Sequence, residues 1–148
     1  MSFFYTYIHI YAQKRLTSAY SLNENEIEEN TWGTYGIKGD GGEYLVLTDE
    51  EADEEAKKEI KESLWAFNAS FIMNECNVEN YNKVEKSLIA MQEACCEDCN
   101  DFILALIEGT CGIDKFVDDA IGTDGRGHFI SSYDGEEVEA EDYFIYKR

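Results

Sequence analysis

Glu43-Tyr44-Leu45-Val46-Leu47-Thr48-Asp49-Glu50-Glu51-Ala52-Asp53 takes the chain from strand to helix within a few residues, and it decides the fold class. Tyr44 to Leu47 is a run of β-formers. Thr48 and Glu51 then stand three residues apart as a capping box, with Thr48 at the N-cap and Glu51 at N3. The acids of this first turn suit the positive end of the helix dipole. Ala52, Ala56, Ile60, Leu64, Phe67 and Phe71 recur at helical spacing, so the helix is predicted to run to about Asn74. Glu54 with Lys58 and Asp53 with Lys57 form favourable i,i+4 pairs on its outer face.

Upstream, Gly39-Asp40-Gly41-Gly42 supplies a turn, so Trp32 to Leu47 reads as a hairpin. Ser21 to Asn30 is polar and acidic and reads as a loop or short helix. Phe3 to Tyr11 is aromatic and apolar on both alternating faces, which predicts a strand covered on both sides. Downstream, one helix is marked by Tyr81, Val84, Leu88, Met91 and Cys95. A second carries Phe102, Ile103, Leu106 and Ile107 and stops near Gly109. A third carries Ile113, Phe116, Val117, Ala120 and Ile121 and stops near Gly122. His128 to Tyr133 reads as a strand, Asp134-Gly135 as a hairpin turn, and Tyr143 to Tyr146 as the closing strand. Strands, then helices, then strands predict an α+β fold: a small antiparallel sheet of N- and C-terminal strands, joined by the Trp32–Leu47 hairpin, with about four helices packed on it.

The 148 residues suit a single domain spanning 1–148. With 44% hydrophobic and 14% aromatic residues the chain can build a core. No run of about 18 apolar residues offers a membrane span. The apolar N-terminus lacks a basic start and a cleavage site, so a cytoplasmic protein is expected. Cys76, Cys95, Cys96, Cys99 and Cys111 are then reduced thiols. The sequon Asn68-Ala69-Ser70 carries no weight in that compartment.

Charge is the feature with functional content. Thirty-two acids against 12 bases leave a net −20, far beyond what solubility asks of a small domain. That excess disfavours nucleic acid or an anionic membrane as a direct ligand. From Ser87 to Tyr146 there are 15 acids and 2 bases. Carboxylates held on a rigid scaffold can imitate the phosphates of a duplex and occupy a Lys/Arg channel built for one. The expected contact residues are Glu97, Asp98, Asp101, Asp114, Asp118, Asp119, Glu136, Glu137 and Glu139.

Other motifs point to bland chemistry. Cys96 and Cys99 form a C-x-x-C, but no second pair stands at zinc-ligand spacing, and Cys95 fits the apolar stripe of its helix. His9 and His128 are the only histidines, and both read as structural. Asp124-Gly125-Arg126-Gly127 could cradle a phosphate; turn chemistry, with Arg126 paired to nearby carboxylates, is the simpler reading. No cofactor or metal is expected. An alternative of another class is a small metal- or thiol-dependent enzyme using Cys96, Cys99, Cys111 and His128. A third is a structural or regulatory protein whose acidity serves only solubility.

Gly125-Arg126-Gly127-His128-Phe129-Ile130-Ser131-Ser132-Tyr133-Asp134-Gly135-Glu136-Glu137 and the closing Tyr143-Phe144-Ile145-Tyr146 resemble the tail of a group of small acidic phage and prophage proteins. Leu47–Asp53 and Ser63–Phe67 are similar to the same group, and Met1 to about Asn30 falls outside it. The resemblance carries over no catalytic residue. It implies a viral protein in a bacterial cytoplasm, a setting in which small acidic proteins inhibit CRISPR effectors and restriction systems. The combined expectation is a non-enzymatic inhibitor of a basic host nucleic-acid-processing enzyme, acting as monomer or dimer.

Overall fold

The computed structural model describes residues 3–31, 34–79 and 81–148. The fold is α+β. Its elements are α1 (Phe3–Tyr20), β1 (Ile27–Thr31), β2 (Thr34–Ile37), β3 (Glu43–Thr48), α2 (Asp49–Glu62), α3 (Ala69–Glu75), α4 (Tyr81–Cys95), α5 (Asn100–Glu108), α6 (Ile113–Asp124), α7 (Arg126–Ile130), β4 (Val138–Ala140) and β5 (Tyr143–Lys147). Short 3-10 turns cover Glu24–Glu26, Leu64–Ala66 and Cys96–Cys99. The chain divides into two compact units, residues 1–56 with 124–148, and residues 57–123.

The first unit is built on a five-stranded sheet in the order β1-β2-β3-β5-β4, every neighbour antiparallel. The expected hairpin is β2–β3, closed by a turn in which Gly39 and Gly41 adopt φ of 85° and 69°; Trp32 lies outside the described residues. The closing strand β5 pairs with β3, Leu45 opposite Tyr146 and Val46 opposite Ile145. Ala12 and Leu16, one helical turn apart on α1, are buried with Ile27, Tyr35, Tyr44, Val46 and Ile145. The sheet is therefore not limited to terminal strands.

Three expectations are corrected here. The predicted N-terminal strand at Phe3–Tyr11 is instead the first half of α1. Its β-formers are overridden because a helix at this end places Ala12 and Leu16 in the core cluster, and β propensity yields to such packing. The predicted strand from His128 is also a helix, α7. Gly125 turns the chain at φ 81°, and a Cβ on Gly127 would lie 2.5 Å from the Gly135 carbonyl oxygen, so the backbone is drawn against 135–137 instead of extending. The hairpin turn then falls at Glu141-Asp142, with Ala140 opposite Tyr143 and Glu141 at φ 55°. Asp134 instead accepts hydrogen bonds from Ser131 Oγ (2.8 Å) and Glu136 N (3.0 Å), holding the loop that leads to β4.

The second unit is helical. The capping box is formed as expected at its approach: Glu51 N donates to Thr48 Oγ1 (3.3 Å) and Thr48 N to Glu51 Oε2 (2.9 Å). The helix does not reach Asn74. It stops at Glu62, and Asn68 starts α3 by accepting from Ser70 N (2.9 Å). Asn68 of the sequon is thus an N-cap. The α4 and α5 helices fall where their periodicity places them, and Gly109 is the C-cap of α5, but Gly122 lies inside α6. Leu64, Ile72, Ile103, Ile107 and Phe116 are fully buried, and the Phe116 ring meets Phe67 and Phe71 at 5.3 Å each.

Candidate functional site

The nine expected contact carboxylates divide between the units. Glu97 and Asp98 lie on the Cys96–Cys99 turn, Asp101 in the first turn of α5, and Asp114, Asp118 and Asp119 along α6. Glu136, Glu137 and Glu139 belong to the sheet unit. Three of the nine serve the fold. Asp114 accepts from Lys57 Nζ at 2.5 Å, which holds its carboxyl below the ordinary range. Asp119 pairs with Lys115, whose ammonium also reaches Glu75 at 2.9 Å. Glu137 accepts from Arg126 Nε at 3.0 Å and from the Tyr146 hydroxyl at 2.5 Å. The other six, Glu97, Asp98, Asp101, Asp118, Glu136 and Glu139, are exposed and have no ion-pair partner among the described residues.

Arg126 is the hub of the sheet unit. Its Nη1 donates to Asp49 Oδ1 (2.7 Å) and Asp53 Oδ1 (2.9 Å), its Nε faces Glu137, and its guanidinium lies 4.4 Å from the Phe144 ring centroid. Burial works against its charge, but the Glu137, Asp49 and Asp53 hydrogen bonds more than restore it. With three carboxylates on it and only 12% of its side chain exposed, it is not a phosphate clamp. The sequence expectation that it pairs with neighbouring acids holds.

All five cysteines are free. Cys95, expected on a buried stripe, is exposed; Cys99 is the buried member and donates to the Cys96 carbonyl at 2.9 Å. Cys95 is the last residue of α4, where the Cys96–Cys99 turn begins. Burial first, then neighbouring Cys95, pushes the Cys99 thiol up, and burial likewise raises Cys76. Cys111 belongs to the helical unit and His128 to the sheet unit, where the exposed imidazole meets Phe129 edge-on at 5.0 Å. Among the described residues, no three His, Cys, Asp or Glu side chains are grouped to hold a metal ion.

One arrangement had no sequence signal. Lys147, at the end of β5, places its ammonium 2.9 Å from Asp40 Oδ2, 4.3 Å from the Tyr133 ring centroid and 5.5 Å from that of Tyr44. The Tyr44 hydroxyl donates to the same Asp40 oxygen at 2.5 Å. Burial first, then this hydrogen bond, raises the Tyr44 phenol to about 12. Residues 40 and 147 are remote in sequence, and only the β3–β5 register brings them together.

Set against protein-family models, curated proteins and solved structures, the chain gives no significant match. Among the described residues, no helix is long and apolar enough to cross a membrane.

Proposed function

We propose that this protein is a non-enzymatic binder of a basic protein surface, of the kind that otherwise holds nucleic acid. The observation that carries the reading is the set of six exposed carboxylates left without internal cations on a chain of net −20. Carboxylates used by the fold are neutralised within it; these six are left to be neutralised by a cation from outside. Such a surface steers a Lys/Arg cleft toward itself and releases condensed ions on contact, so binding is fast and falls with salt. The narrower identity, an inhibitor of a host CRISPR or restriction enzyme encoded by a phage, rests on the resemblance of the tail segment alone.

The test uses one variant carrying Asp98→Lys, Asp101→Lys and Asp118→Lys, and a second carrying Glu136→Lys and Glu139→Lys. Immobilised wild type and variants are exposed to the same bacterial lysate and eluted with a salt gradient. The reading predicts that wild type retains a nucleic-acid-binding protein, released at moderate salt, which at least one variant fails to retain. Identical retention by all three would refute duplex mimicry and leave the acidity to solubility.

A further inference from the structure

Within the helical unit the C-terminal ends of α3 and α5 meet, and each carries a cysteine. Cys76 is the C-cap of α3; the Asn77 and Val78 N–H groups close the turn around it on the Asn74 (3.1 Å) and Met73 (3.2 Å) carbonyls. Cys111 follows α5 in a loop closed by the Gly112 N–H on the Ile107 carbonyl (2.8 Å), and its thiol lies 3.9 Å from the same oxygen. Lys115 Nζ, 2.9 Å from Glu75 Oε2, fastens the two ends beside the cysteines. Across this junction the Cys76 thiol hydrogen-bonds to the Cys111 side chain and to that of Thr110. Access to the two sulfurs is unequal: Cys76 is 5% exposed, whereas Cys111 is half-buried. Burial is the main reason the Cys76 thiol is raised; Thr110 works against it and Cys111 adds to it. A sheltered thiol beside an accessible one is the arrangement of a resolving cysteine. The other cluster differs, because the Cys99 thiol donates to the Cys96 backbone carbonyl (2.9 Å) whereas Cys76 faces a second thiol.

We propose that Cys76 and Cys111 are an oxidative modification site, at which hydrogen peroxide converts two facing thiols into an intramolecular disulfide. Cys111, the accessible member, attacks one peroxide oxygen as its thiolate. The O–O bond breaks, the sulfur becomes a sulfenic acid, and the other oxygen takes up the thiol proton and leaves as water. The Cys76 sulfur then displaces the sulfenic hydroxyl: the S–S bond forms, the S–O bond breaks, and the Cys76 proton leaves with the hydroxyl as a second water. Two electrons pass from the sulfurs to the peroxide oxygens. Gly112, at φ 86° with nothing within 4 Å of where a Cβ would lie, gives the Cys111 loop room to close the bond. The bond ties the end of α3 to the loop that leads into α6, so the oxidised protein resists unfolding more than the reduced one. The pair uses none of the nine carboxylates of the proposed partner surface, so either reading can fail without the other.

The experiment treats the full chain, reduced and then freed of reductant, with hydrogen peroxide in modest excess. Remaining thiols are blocked with N-ethylmaleimide, and the monomeric fraction is digested with a glutamate-specific protease. Cleavage after Glu108 separates Cys111 from Cys95, Cys96 and Cys99. Mass spectrometry should find the Cys76 and Cys111 peptides joined by a bond that dithiothreitol reverses. The oxidised protein should also unfold at a higher urea midpoint than the reduced one. Cys111→Ser should leave Cys76 blocked by the maleimide after the same treatment and remove the midpoint shift. Cys76→Ala should halt Cys111 at the sulfenic acid, which dimedone captures. If Cys76→Ala does not fold, Cys111→Ser, at the half-buried position, carries the test alone. The proposal is overturned if Cys76 and Cys111 are both recovered as maleimide adducts. It is overturned equally if either links instead to Cys95, Cys96, Cys99 or a second chain, or if Cys76 oxidises as readily without Cys111.

Discussion

The Arg126 junction of the sheet unit and the α2–α3 break of the helical unit are fastened with different chemistry. In the sheet unit the fasteners are ions: Arg126 joins α2, α7 and the segment before β4, Arg148 reaches Glu55 at 2.8 Å, and Arg15 meets Glu141. In the helical unit the break between α2 and α3 is fastened by neutral amides. Asn100 accepts from Trp65 N (3.1 Å) and donates to the Lys61 carbonyl (2.7 Å), while Gln92 donates to the carbonyls of Trp65 (2.9 Å) and Phe67 (2.8 Å). An amide meets backbone groups without a charge to neutralise. The sheet unit carries 19 acids and 6 bases and the helical unit 13 and 6, so the free carboxylates are not simply a matter of local excess.

The largest effect is expected at Arg126. Arg126→Met keeps contact with Phe144 but leaves Asp49, Asp53 and Glu137 facing one another, at a cost of about 3 kcal/mol in urea unfolding. That cost should shrink as salt screens the three carboxylates. Asn100→Ala should cost about 2 kcal/mol, because the Trp65 N–H and Lys61 carbonyl lose their partner, and the cost should be indifferent to salt. If the two variants respond to salt alike, the contrast between ionic and neutral fasteners fails. Thr48→Ala removes the capping box and should cost about 1 kcal/mol, read from the same unfolding curves.

Acid sharpens the comparison further. Asp134 is held below its ordinary value of 3.8, first by the Glu136 N–H and then by Ser131, and Asp40 by Tyr44 and Lys147. A carboxyl whose folded value is depressed stabilises the fold above its unfolded value, and that contribution disappears as pH falls through the folded one. These contributions are thus complete at neutral pH and lost below about pH 4. Asp134→Asn should weaken the protein at neutral pH, by less than the loss of the cap, and flatten its acid-unfolding limb. An unchanged limb would remove the Asp134 loop from the account. The smallest effect belongs to the free carboxylates: Asp98→Lys with Asp101→Lys and Asp118→Lys should leave stability within about 0.5 kcal/mol or raise it, since exposed sites without partners matter little to the fold.

Legibility in the sequence follows the same division. In the helical unit, local signals decide structure: the spacing of Tyr81, Val84, Leu88 and Met91, and Gly109 as a stop, each locate an element. The exception is the end of α2, where Leu64 and Phe67 continue the helical period yet belong to a turn and a link, because Asn68 restarts the helix. In the sheet unit, contacts between distant segments decide. Phe3–Tyr11 and His128–Tyr133 have strand composition, but the first belongs to a helix carrying Ala12 and Leu16 into the core, and the second follows the Gly125 turn and the close approach of Gly127 to 135–137. Strand β1, read as a loop or short helix, is acidic and gains its identity only by pairing with β2. The pairing of Arg126 was legible because acids flank so few cations there; the Lys147 seat was not, since its parts meet only through strand register.

The central claim is that the unpaired carboxylates exist for a partner. Its most direct test is duplex-DNA competition against whatever basic protein the immobilised chain retains. The account predicts that duplex DNA and salt each release that protein from the wild type, and that the Asp98, Asp101 and Asp118 charge-reversal variant or its Glu136 and Glu139 counterpart never captures it. A captured protein that duplex DNA leaves in place, and that both variants hold as well as the wild type, would contradict it.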